Sequence, residues 1–83
     1  MTSVAEVRLA LEQVAEGLQD AYRLAREAQD LLVDAVDVLA EAGENHHEEL
    51  VPPAFLRARE AFPDELELIV SSLELVQRLA AEL

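Results

Sequence analysis

From Val4 to Ala42, two rows of apolar residues repeat every seven positions with no polar interruption. One row is Val4, Leu11, Leu18, Ala25, Leu32 and Leu39; the other is Val7, Val14, Ala21, Ala28, Ala35 and Ala42. Spacings of three and four put both rows on one side of an α-helix, the pattern of a seam packed against other helices. Ser3-Val4-Ala5-Glu6 precedes the run as a capping box, in which a hydroxyl and a carboxylate each satisfy a free N–H at the helix start. Gly43 follows it as a natural helix-ending residue. The predicted first helix, about residues 4–42, is roughly 58 Å long at 1.5 Å per residue.

The apolar face of this helix is wider than a two-stranded seam requires. Ala10, Gly17, Leu24, Leu31 and Val38 form a third apolar row, and Ala15, Tyr22 and Val36 part of a fourth. The opposite side is polar, with Glu6, Gln13, Asp20, Glu27, Asp34 and Glu41 in one row and Glu16, Arg23, Asp30 and Asp37 in the next, where only Leu9 breaks the pattern. A face this broad must touch more than one neighbour.

The second half opens at Pro52-Pro53, with proline well placed in a first helical turn. Phe55, Phe62, Ile69, Val76 and Leu83 make one seam row, and Leu66, Leu73 and Ala80 the other. Pro63 lacks an N–H and clashes with the carbonyl of Arg59, so this helix, about 53–83, is expected to be kinked or broken there. The unbroken register across Pro63 favours one kinked helix. With residues 43–52 as the turn, the chain reads as a single all-α antiparallel helical hairpin. A lone hairpin has too little interior for such faces, so the expected assembly is a four-helix bundle, built by a homodimer or with another helical chain. The residues expected to carry that interface are Leu11, Leu18, Leu32, Leu39, Ile69, Leu73 and Val76.

Composition narrows the function. The chain carries 18 acidic residues against 6 cations, all arginine, for a net charge of −12. It has no basic footprint with which to neutralise phosphates, which argues against nucleic acid and anionic membranes as partners. Aromatic residues are only 4%, so the core must be aliphatic, and without cysteine there is neither a disulfide framework nor a thiolate zinc site. Arginine without lysine, amid abundant Ala, Val and Leu, fits a GC-rich bacterial genome better than salt adaptation. The start has no cationic region ahead of an apolar run, so a cytoplasmic location is expected, with leaderless export left open.

Chemistry-bearing residues are few. His46 and His47 sit in Gly43–Pro53, and Glu44 with His47 has the i, i+3 spacing that di-iron bundles use. Those sites lie mid-bundle and are completed by inward glutamates, which these seams lack, so a solvated turn is the expectation and no cofactor or metal is assigned. Paired acids resemble the magnesium ligands of all-α nucleotide pyrophosphohydrolases, but Glu48-Glu49 is followed by Leu-Val-Pro-Pro rather than by another acid a turn later. Ser71 and Ser72 have no histidine near them in a hairpin. No catalytic constellation emerges, and a non-enzymatic protein is expected. Between Glu27 and Leu56 there is no cation, and Asp30/Asp34 and Asp37/Glu41 are like-charge i, i+4 pairs. Glu41, Glu44, Glu48 and Glu49 are therefore candidates for docking a basic protein, against the plainer reading of a solubilising surface. Arg59, on a seam row, is read as snorkelling, its stem on the core and its head in water.

In layout the chain resembles the small Trp-x-Gly helical hairpins that travel through type VII secretion. Ala42-Gly43-Glu44 stands at the turn where that family has its Trp-x-Gly, and Tyr22, the only tyrosine, lies in the first helix rather than in a C-terminal export motif. The resemblance implies a four-helix-bundle dimer and export. The leading expectation is thus a helical interaction protein, with an exported hairpin effector or secretion substrate, and a Glu44/His47 metal-binding bundle, as alternatives.

Overall fold

The computed structural model describes residues 3–83, in two α-helices: α1, Val4–His46, and α2, Pro53–Glu82. They pack against each other as an antiparallel hairpin, and no strand occurs among the described residues. The fold class is that read from the heptads. At its start the Ser3 hydroxyl accepts the N–H of Glu6 at 3.1 Å, the hydroxyl half of the capping box. The 43 residues of α1 span about 64 Å at 1.5 Å each, matching the 65 Å long axis of the molecule.

One correction concerns the end of α1. The helix does not stop at Ala42 but runs through Gly43 to His46, and Gly43 keeps a negative φ. The left-handed residue is His47, at φ 56° and ψ 36°. Beyond it the Glu48 N–H donates to the Gly43 carbonyl at 2.8 Å, and the His47 N–H donates to the Glu44 carbonyl at 3.3 Å. These two bonds are the Schellman arrangement, which satisfies carbonyls left without partners at a helix end. Gly43 matters for a different reason: it is buried, and a Cβ there would meet the backbone carbonyl of Glu48 as the chain folds back over it. Absence of a side chain, not freedom of φ, is what the position uses.

At Pro63 the structure agrees with the reading of one unbroken helix. Of the two readings, the broken helix is excluded, because α2 continues through Pro63 for its full 30 residues. Pro52 and Pro53 preset the backbone at its start, where no side chain caps the helix and Phe55 N–H donates to Pro52 carbonyl oxygen at 2.9 Å.

The interior is a narrow seam. In α2 both heptad rows turn inward: Leu66 is buried, and Phe55, Phe62, Ile69, Leu73, Val76 and Ala80 are half-buried. In α1 the row Leu11, Leu18, Ala25, Leu32, Leu39 also faces α2. The second inward row is shared, with Ala21, Ala35 and Ala42 half-buried beside Ala15, Gln29, Val36 and Gly43, while Val7, Val14 and Ala28 are turned out. Among the described residues only Val36, Val51 and Leu66 are buried hydrophobics, and Val51 lies in the connecting loop.

Gly43→Ala should destabilise the hairpin by about 1–2 kcal/mol, since forcing the Glu48 carbonyl aside outweighs alanine's better helix propensity. His47→Gly should stabilise it by about 1 kcal/mol by relieving the left-handed strain. Urea unfolding followed by circular dichroism checks both. The opposite pair of signs would mean that Gly43, not His47, is the helix-ending residue.

Candidate interaction surface

The hairpin leaves a second apolar face uncovered. On α1 it consists of the rows through Val14 and Ala28 and through Gly17, Leu24, Leu31 and Val38; Leu31 is 71% exposed and Val38 65%. On α2 it consists of Leu68, Leu75 and Leu79, with Ala54, Ala58 and Ala61 nearer the loop; Leu68 is 67% exposed. Successive residues turn by about 100°, and each set lies on the same rotational side of its inward row. Because the helices run in opposite directions, that shared rotation brings the two sets to one flank of the hairpin. They form a continuous face some 45 Å long, by the rise from Val7 to Val38, and 18 Å across, the second dimension of the molecule.

Global dimensions show how far this departs from a self-sufficient domain. A folded chain of 9.2 kDa is expected to expose about 4,900 Å², whereas this one exposes 6278 Å². Its radius of gyration is 19.1 Å, against about 12 Å for a compact chain of this length. The excess of about 1,300 Å² reflects the elongated shape, and the uncovered face itself, roughly 800 Å² at 45 Å by 18 Å, exceeds the 300–600 Å² of the largest apolar patch on a typical monomer.

All seven residues expected at the interface lie on the intrachain seam. Leu11, Leu18, Leu32 and Leu39 of α1, and Ile69, Leu73 and Val76 of α2, are half-buried there. The open face is made by other rows: the third apolar row of α1, legible in its heptad spacing, and Leu68, Leu75 and Leu79 of α2. The signal for the α2 residues was present as a second i, i+7 spacing beside the seam rows.

The loop end gathers the other candidates. Glu41, Glu44, Glu48 and Glu49 are all exposed, so the acidic end faces solvent. Glu49 is tied into the loop, its Oε1 accepting the Val51 N–H at 3.3 Å. Glu44 and His47 line an open concavity of about 420 Å³ together with Glu48, Glu49 and Gly43. Among the described residues no group of three or more His, Asp or Glu comes together to hold a metal ion. Arg59 is half-buried on the seam, and the ion pairs among the described residues belong to Arg23 instead, 3.6 Å from both Asp20 and Glu27. Those groups are mostly exposed and contribute little. Ser72 is occupied locally, its hydroxyl donating to the Leu68 carbonyl at 2.8 Å. No described helix is long and apolar enough to cross a membrane. No protein-family model, curated protein or solved structure matches the chain.

Uncompensated acids along the C-terminal half of α1 oppose its macrodipole and one another. Raising NaCl from 20 to 500 mM should therefore raise the thermal midpoint by several degrees, as the Debye length falls to a few ångströms. A midpoint that falls with salt would show the acids to be paired favourably.

Proposed function

We propose that this protein is a non-enzymatic helical interaction module, a hairpin that completes a four-helix bundle by associating through its uncovered face. The observation that carries the reading is the disproportion between interior and surface: among the described residues three hydrophobic side chains are buried, while Leu24, Leu31, Leu68 and Leu75 stand exposed along one face. A domain is ordinarily closed by packed layers around a common core. Here one layer is present, with its second side apolar and ready for another. The alanines and glycine along α1 favour a helical partner, because small residues let a second backbone approach closely. Most charges lie on the outward rows, which keeps the assembly soluble while leaving one largely apolar surface for association; on the open rows of α2 stand Glu65 and, at the helix end, Glu82.

The reading makes folding depend on association, and that is its test. For a chain whose folding is coupled to dimerisation, each tenfold rise in concentration adds about 1.4 kcal/mol of stability. The midpoint by circular dichroism should rise accordingly between 2 and 200 μM. Leu32→Asp, which sets an unpaired charge on the hairpin seam, should abolish both the helical signal and the assembly mass. A poorly folded monomer that gains helicity on adding a helical partner agrees with the same reading. A monomer with a sharp, concentration-independent transition would reject it.

A further inference from the structure

We infer that the uncovered face is filled by a second copy of this chain, with both loops at the same end and α1 of each copy lying on α2 of the other. This rests on the interaction reading above and adds the identity of the partner and its orientation. Area is the first argument. The uncovered face, some 45 Å by 18 Å, amounts to roughly 800 Å² per chain, so covering it in two copies removes about 1,600 Å², the size of a stable protein–protein interface.

Size matching is the second. Leu11 and Ala15 line one concavity with Val76 and Ala80, which fixes the level at which the antiparallel helices pass each other. At that register Ala10 and Gly17, the small end of the open α1 row, stand level with Leu75 and Leu79. Leu31 and Val38, its large end, stand level with Ala54, Ala58 and Ala61. A two-fold axis parallel to the helices preserves those levels, so bulky residues of one copy meet small residues of the other. One pairing is already shaped as a knob and a hole. Leu31 is the most exposed of the large hydrophobic residues, at 71%. The surface dent of about 280 Å³ lined by Ala58, Ala61, Phe62 and Glu65 lies level with it on α2. Packing of such knobs into holes is what aligned helices require of each other.

Charge chooses the orientation. A two-fold axis perpendicular to the helices would lay α1 on the partner's α1 and would also set large residues against small. It would, however, bring the outward row of Glu6, Asp20, Glu27, Asp34 and Glu41 against the same row of the second copy. The parallel axis sets that row beside the flank of α2 that carries Arg57, Asp64 and Arg78, with Asp34 level with Arg57 and Glu27 level with Asp64, so the row meets mixed rather than uniformly like charge. Like charges along a helix pair repel and opposite ones stabilise, so the parallel axis is favoured.

Sedimentation equilibrium on the full chain, combined with one spin label at Asn45→Cys, tests the whole proposal. The chain has no cysteine of its own. The expected result is a dimer whose labels, both at the loop end, lie within about 30 Å, since neighbouring helix axes are about 10 Å apart. Leu31→Glu should weaken that dimer at least a hundredfold, while Leu9→Glu, on the outward side of α1, leaves it unchanged. Asp34→Arg should weaken it several-fold, and adding Arg57→Asp should restore it. This rescue holds the test open even if Leu31→Glu fails to fold. Labels about 60 Å apart, one α1 length, would overturn the orientation. A dimer indifferent to Leu31→Glu and to the charge exchange would overturn the face. A chain monomeric at every concentration would overturn the second copy as occupant, and the interaction reading would then be decided separately, by whether that monomer gains helicity on adding a helical partner.

Discussion

Two helices in contact cover one stripe of each other and no more. Every other property of this chain follows from that limit, because its sequence supplies apolar rows on more than one side of each helix. The seam between α1 and α2 takes the row through Leu11, Leu18, Leu32 and Leu39 and both rows of α2, and still, among the described hydrophobic residues, buries only Val36, Val51 and Leu66. Burying a leucine or valine fully contributes about 1.5–3 kcal/mol, and most of the residues of the hairpin obtain a fraction of that. Ordering the backbone costs about 1–2 kcal/mol per residue, so a thin seam is a weak basis for independent stability. On the proposed reading, the open face supplies the missing burial.

Which rows face inward is decided at the loop. The Schellman closure after His46 turns the chain back so closely that the Glu48 carbonyl rests over Gly43, and Val51 is buried before α2 begins at Pro53. That return path sets where α2 starts along α1 and how α1 is rotated toward it. The rotation favours Ala15, Gln29, Val36 and Gly43 on one side of the leucine row over Val14 and Ala28 on the other. The turned-out residues then line up with Gly17, Leu24 and Leu31. A loop contact at one end of a 65 Å molecule thereby selects the face presented along its length.

This explains what was legible beforehand and what was not. Helix existence, the antiparallel hairpin and the inward rows of α2 could be read because a seven-residue repeat has a single helical meaning. The inward rows of α1 could be read only in part. Four adjacent rows are apolar there, and a heptad pattern cannot say which pair meets the chain's own second helix. Gly43 shows a different ambiguity: glycine suits a helix end through its backbone freedom and suits a close crossing through its missing Cβ, and the sequence does not distinguish the two. Histidine in a left-handed conformation carries a weaker signal than glycine, so His47 was passed over as the terminating residue. Pro63 does not break the helix because the cost of one lost hydrogen bond is local, whereas the register of Phe62, Leu66 and Ile69 on either side, legible in the heptads, is held by the whole seam. Of the candidate surface, the α1 row was visible as excess width; its neighbours Leu68, Leu75 and Leu79 were hidden beside a stronger seam signal.

The acidity of the chain is best understood as the counterweight to that exposed face. A second copy would bring the charge to −24, twice the −12 of one chain, which at first sight opposes self-association. The magnitudes decide otherwise. Exposed like-charge pairs on helices cost about 0.2–0.5 kcal/mol each and are screened by salt, while each leucine taken from water contributes several times as much. Charge of this sign therefore does not prevent one apolar face from closing on a matching one. It penalises every other approach, since Glu27, Asp34 and Glu41 line the outward side of α1 and Glu44, Glu48 and Glu49 the loop end. A molecule with an uncovered apolar flank and a repulsive surface elsewhere can associate specifically without aggregating. On the proposed reading, the acids that weaken α1 as an isolated helix also restrict it to one mode of assembly.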